Sequence, residues 1–352
     1  MLSRSTVFAA LLFASAASFA QAAVPLDRTQ AAQALDQLDK ALNSYVFPEK
    51  ADAVRKALKA DRETLLAAKD VDAFTAAVSE EMQRVGGDKH LNVTYEPTKI
   101  ETAAGERPPL WPEPLAKGIA QGLMSVRRLP GNVGYIKLRY LVDTPEAEAM
   151  MTNIVAMLKD TDALIIDLRA NNGGGAGAGD VLISHLSNTL IPMEELHYRQ
   201  PDGSWEIEKV VVKPAVGGAA FDGKPIYVLT SSRTFSAAEA MAYVLKAADR
   251  ATLVGETTRG GANPANAPAQ TLGGGFSVFV PNGKVVHPTT KGNWEGVGVA
   301  PDVAVPAGEA LTTAYTLALK AAKPVITLKG LEDQRAKAMA DPKAALIADQ
   351  EL

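Results

Sequence analysis

Two short runs dominate what this chain can fold into. Ala163-Leu164-Ile165-Ile166-Asp167-Leu168 and Pro225-Ile226-Tyr227-Val228-Leu229-Thr230 are almost wholly apolar, and each is followed by a turn of small residues and then by a helical pattern. Runs of this length bounded by turn signals read as buried strands. Further strands are expected at Leu123 to Arg128 and Val133 to Tyr140, joined by a turn at Pro130-Gly131-Asn132, and at Ala251 to Val254 and Gly275 to Val280. Helices are expected at Pro145 to Lys159, Gly179 to Leu186, Ser236 to Ala248 and Ala310 to Ala322. Strands alternating with helices after Gly131 define an α/β domain.

The stretch before it reads differently. Leu35, Leu38, Leu42 and Tyr45 recur at helical spacing, Pro48 breaks the pattern, and Ala51 to Leu66 and Asp72 to Met82 continue it up to Gly86-Gly87. Leu91 to Tyr95 alternates as a strand and Pro97 ends it. The expected layout is a leader over 1–22, a small N-terminal helical domain over 24–97, a Pro-rich linker over 98–122, a catalytic core over 123–329 and a solvated tail over 330–352. The leader has the three parts of a secretory signal: Arg4 in a short polar start, an apolar run from Val7 to Phe19, and Ala20-Gln21-Ala22 as a small-residue cleavage site. Export to the periplasm, or secretion, follows, with no stable membrane insertion because no later run is long enough to span a bilayer.

Composition removes several function classes. The chain has no cysteine, so disulfides, thiol catalysis and thiolate-held metals are absent. A net charge of −4 without a basic block argues against a nucleic-acid partner.

Four stretches could carry chemistry. The first is Thr234-Phe235-Ser236-Ala237-Ala238-Glu239, where a strand gives way to a helix. A hydroxyl at a helix start sits beside free N–H groups that favour a developing anion. The same Ser-x-x-Glu spacing is also a capping box, and the local pattern by itself favours the cap. The second is Asp167 to Gly175, whose glycines could turn backbone N–H groups onto an oxyanion, could form a tight turn, or could match a loose dinucleotide spacing. The third is histidine, of which there are four. His185 lies in an apolar helical pattern and His197 in a polar stretch, which leaves His90 and His287 as equal candidates for a base. The fourth is the turn-rich Trp294 to Asp302, where Glu295 could be a semi-buried acid or an exposed turn carboxylate. No metal-ligand spacing stands out.

Taken in order, Asp88-Lys89-His90-Leu91, Gly131 to Tyr135, Asp167 to Gly175, Thr230 to Glu239, Val254 to Thr257 and Glu295 to Asp302 make the chain resemble the tail-specific, or C-terminal-processing, serine peptidases. The likeness is nearest to the branch with interphotoreceptor retinoid-binding protein modules and the tricorn protease core. It implies a ClpP/crotonase-like core of layered sheets and helices, a peptide or protein substrate and no cofactor. It also implies Ser236 as nucleophile, His90 as base, Glu295 as supporting acid, and backbone N–H groups of Gly173, Gly174 and Ala237 as an oxyanion hole. Two departures follow. The processing branch uses a lysine shortly after the Val-Gly-Glu segment, where this chain has Arg259-Gly260-Gly261, so a Ser–His–Glu triad is expected instead of a Ser–Lys dyad. There is also no room for a PDZ domain between Tyr95 and Gly131. The alternative implied by the retinoid-binding relatives is a binding module for an apolar ligand or peptide on the same fold.

Overall fold

A computed structural model describes residues 23–96, 111–267 and 269–350. The expected leader and the first part of the expected linker lie outside them. The chain begins with four helices: α1 (Arg28–Ala41), α2 (Pro48–Ala60), α3 (Arg62–Leu66) and α4 (Val71–Gly86). Asp27 caps α1 by accepting from the N–H groups of Thr29 and Gln30, and Asp70 caps α4 by accepting from Ala73 N–H. Pro48 opens α2, where its missing N–H costs nothing. Gly87 ends α4 with φ 66°, a left-handed cap that glycine adopts without a Cβ clash.

The strand β1 (Asn92–Tyr95) follows, then α5 (Glu113–Gly118), β2 (Leu123–Leu129), β3 (Val133–Leu138), α6 (Pro145–Leu158), β4 (Ala163–Asp167) and α7 (Gly177–Ser184). Next come β5 (Ile191–Arg199), β6 (Trp205–Val212), β7 (Ile226–Thr230), α8 (Ala237–Ala247), β8 (Thr252–Gly255), β9 (Gln270–Gly273), β10 (Phe276–Phe279) and β11 (Gly283–Val286). The chain closes with β12 (Val303–Ala304), α9 (Ala310–Ala321), α10 (Lys329–Ala340) and α11 (Pro342–Gln350).

The α/β core is a six-stranded sheet in the order β12-β8-β7-β4-β3-β2. All neighbours are parallel except the β2–β3 hairpin at one edge. Every residue of β4 and β7 is buried, because α6, α7 and α8 cover one face and α9 the other. A second sheet, β11-β5-β6, is antiparallel and packs against α8. Among the described residues, α5 is the only α-helix between β1 and β2, and no separate domain stands there.

Two sets of contacts cross the boundaries expected from the sequence. The N-terminal helices do not close on themselves. Their core takes in Leu272, Phe276 and Val278 from β9 and β10, and β1 pairs antiparallel with β10. Phe74 of α4 meets Phe276 edge-on at 5.4 Å, a contact of about 1 kcal/mol beyond its burial. The helices bury an apolar face that their own strand is too short to cover, so a later segment completes it. The tail, read as solvated, forms the mostly exposed helices α10 and α11 with a few anchoring contacts. Ala338 and Leu346 are buried with α9, and Arg335 donates to the carbonyls of Leu319 and Ala322 that end that helix.

Candidate active site

The core sheet presents its β4 and β7 C-terminal ends side by side, which is where open α/β sheets hold their ligands. Asp167 at the end of β4 is fully buried, takes a forked pair of bonds from Arg169 and one from Tyr135 at 2.7 Å, and so fixes the turn that follows. Asn171 continues the lock: its Oδ1 accepts from Gly173 N–H at 2.8 Å, and its backbone O accepts from Phe235 N–H at 3.0 Å. The glycine turn is thereby laid against the turn after β7. A Cβ on Gly173 would stand 2.7 Å from Ser236 Cβ, so only glycine fits there.

Ser236 caps α8 with φ 55° and ψ −126°, a conformation costly for a residue with a Cβ. Ser236 and Glu239 form a capping box at this helix start, in which Ser236 N–H donates to Glu239 Oε2 at 2.9 Å. Glu239 is fully buried and also accepts from Gly260 N–H, Gly261 N–H and the Thr258 hydroxyl. Burial raises its pKa, against the pull of these hydrogen bonds. One carboxylate therefore holds both the serine turn and the loop that faces it.

The Ser236 Oγ lies 3.0 Å from His90 Nε2. The base candidate arrives from the N-terminal helices, on the segment between the Gly87 cap and β1. Its ring packs on Phe235 with centroids 4.6 Å apart, and Gly261 leaves room for its edge. Burial, with Arg259 in support and Asp88 in opposition, pushes its pKa below the usual histidine value, so the ring is neutral near pH 7. His287, the other candidate, is spent elsewhere: its Nδ1 accepts from Thr289 N–H and Thr290 N–H, and its ring packs on Tyr243. His185 ends α7, and His197 faces Glu195 on β5.

Two acids flank the imidazole. Glu295 accepts from the N–H groups of Ala262 and Asn263 through Oε2, while Oε1 and His90 Nδ1 are both buried without a partner. Asp88, fully buried, stands 3.9 Å from His90 Nδ1 and accepts from His90 N–H, the Tyr45 hydroxyl and Asn263 Nδ2. Burial and then the neighbouring Asp88 push the Glu295 pKa up to about 7. The expected acid is thus beside the base but not bonded to it, and a second acid shares the site. Donor atoms of Asp88, His90 and Glu295 lie within 4.8 Å of one another, the one grouping among the described residues that could offer three ligands to a metal. Their existing hydrogen bonds, and the turn of Nε2 toward Ser236, orient them for acid–base work.

Of the expected oxyanion donors, Gly173 N–H is already given to Asn171. Ala237 N–H opens α8, where no intrahelical acceptor exists. Gly174 lines the same cavity, about 290 Å³ in volume, which runs from Ser236 between α7, α8 and the β5–β6 sheet. Where the processing branch has its lysine, Arg259 stacks on Phe235 at 4.7 Å. Asp88 and Asn171 lie within stretches the sequence singles out, but the contacts that fix them, Tyr45 and Asn263 for Asp88 and Phe235 for Asn171, come from segments distant in sequence.

Fold and site together set a strained serine at a strand-to-helix turn within hydrogen-bond distance of a neutral histidine. Residues 132–305 match the sequence model of Peptidase family S41. A carboxyl-terminal-processing protease of Synechocystis sp. is 28% identical over 199 residues, 56% of this chain and 44% of that protein. The chain therefore spans less than half the length of that curated relative. A lipoprotein from Streptococcus agalactiae superposes with a TM-score of 0.53 at 16% identity, over 82% of this chain and 96% of that one. The tricorn protease does so with a TM-score of 0.51 at 14% identity, over 81% of this chain and 35% of that one. At such identities the likeness is one of fold.

Proposed function

We propose that the chain is an exported serine peptidase that cuts peptide bonds through Ser236, His90 and Glu295. The 3.0 Å approach of Ser236 Oγ to His90 Nε2 carries this reading. His90 accepts the serine proton as Oγ attacks the substrate carbonyl. The oxyanion rests on Ala237 N–H, with Gly174 N–H as its partner in place of the engaged Gly173. Glu295, aided by Asp88, holds the imidazole tautomer and stabilises the imidazolium. His90 then returns the proton to the leaving amine, and water, activated by the same histidine, releases the acyl-enzyme. Arg4, the apolar run to Phe19 and Ala20-Gln21-Ala22 support export.

A fluorophosphonate probe tests the nucleophile. It should label Ser236 in the purified chain and leave Ser236→Ala and the heat-denatured chain unlabelled. Lack of labelling, together with equal peptide hydrolysis by the wild type and Ser236→Ala, would overturn the proposal and favour the binding-module alternative.

A further inference from the structure

The cavity beside Ser236 has walls suited to an apolar side chain: Leu196 and Val210 from the β5–β6 sheet, Ile183 from α7 and Met241 from α8. Two carboxyl groups break the pattern. Asp180 of α7 and Glu194 of β5 both line it, and they come from different elements. No lysine or arginine lines the cavity, and neither acid makes an ion pair or hydrogen bond among the described residues. Glu194 alternates along β5 with Leu196 and Tyr198, so its strand turns it to the apolar, cavity-lining face rather than to solvent. Glu194 is half-buried, and burial followed by the field of Asp180 pushes its pKa up to about 7. Burial and then Glu148 raise Asp180. Two half-buried acids on an otherwise apolar wall, with no cationic side chain among the described residues lining the cavity beside them, make a site where a ligand would supply the missing positive charge.

We propose that this cavity receives the side chain of a lysine or arginine whose carbonyl is presented to Ser236. The inference rests on the peptidase reading for the role of Ser236, and it names the class of substrate. The methylene stem of such a residue would pack on Leu196, Val210 and Ile183, and its cationic head would pair with Glu194 and Asp180.

Two measurements test it. The first is cleavage of a mixed peptide library by the purified chain, read by mass spectrometry. Bonds preceded by lysine or arginine should be cut at least tenfold faster than bonds preceded by leucine or methionine, and Glu194→Gln should reduce that ratio at least tenfold. Equal cleavage, or preference for the apolar residues, would overturn the proposal. The second measurement needs no catalysis: benzamidine, a compact amidinium cation, titrated into the chain by calorimetry. It should bind wild type and Ser236→Ala alike and bind Glu194→Gln at least tenfold more weakly. Asp180→Asn gives the same reading if Glu194→Gln fails to fold. No binding by the wild type, or equal binding by the folded acid variants, would overturn the pocket assignment. If benzamidine binds but fluorophosphonate does not label Ser236, the peptidase reading fails alone. If Ser236 is labelled but cleavage follows apolar residues, the pocket assignment fails alone.

Discussion

His90 Nε2 stands 3.0 Å from Ser236 Oγ across 146 residues of chain. The two come from different structural units, the histidine from the end of the N-terminal helices and the serine from the turn after the central strand β7 of the core sheet. The docking of those units is therefore part of the site, and it is held by β1 on β10 and by the loop that Glu239 ties down.

The serine turn stores strain that can be measured apart from catalysis. Ser236 has φ 55°, which glycine adopts freely. Ser236→Gly is expected to unfold at higher temperature than Ser236→Ala, by about 1 kcal/mol in stability, while both lose peptidase activity by about three orders of magnitude or more. Thermal denaturation of the two variants side by side checks the first part, and peptide hydrolysis the second.

Gly261 is a steric gate for the base. A Cβ there would stand 2.2 Å from Phe235 Cε2 and 2.9 Å from His90 Cε1. Gly261→Ala should push the imidazole off Ser236 and reduce kcat/KM by about a hundredfold, since small misplacements of a reacting group cost that much. Fluorophosphonate labelling should slow in parallel. An alanine variant with full activity would show that the ring position is not limiting.

Glu239 should matter more than a helix cap does. A cap is worth about 1 kcal/mol, but this carboxylate is buried and satisfies donors on two segments. Glu239→Ala is expected to cost about 3 kcal/mol or more in urea unfolding, because it leaves buried N–H groups without acceptors. Glu239→Gln, which keeps one acceptor oxygen, should lie between the two in stability and in activity.

The pH profile follows from two opposite shifts. His90 is pushed below its usual value and Glu295 up to about 7, so in a neutral solution the base is ready before its acid is fully ionised. Activity should rise with pH through a midpoint near 7 that belongs to Glu295. Glu295→Gln should lower the rate and move the remaining acid limb below the ordinary histidine range. An unmoved limb in that variant would assign the midpoint to another group.

Stability should run the other way. Glu194 and Glu295 bind their protons more tightly in the folded chain than in the unfolded one, so each stabilises the fold most below the usual carboxylate range and loses that contribution as pH rises toward about 7. Glu194→Gln removes one of these ionisations. Its melting temperature should fall less than that of wild type between pH 5 and pH 8, a difference that differential scanning calorimetry would resolve.

Much of this protein is legible without its fold. Local periodicity marks the core strands and most helices because burial imposes a repeat on neighbouring residues. The strand, turn and helix around Ser236 are read from a dozen consecutive residues, as is the Glu239 cap. The local pattern left His90 and His287 level and the family resemblance pointed to His90; in the fold His287 is spent on its own loop. It missed the β5–β6 hairpin, where charged residues interrupt the strand pattern, and with it Glu194. Tertiary structure alone decided which distant atoms meet: Ser236 beside the His90 imidazole, β9 and β10 closing the N-terminal helices, and Asn263 and Tyr45 on Asp88. The reason is physical. Secondary structure follows from forces between residues a few positions apart, whereas a catalytic site is made of contacts that exist only after distant segments have buried their apolar faces against one another.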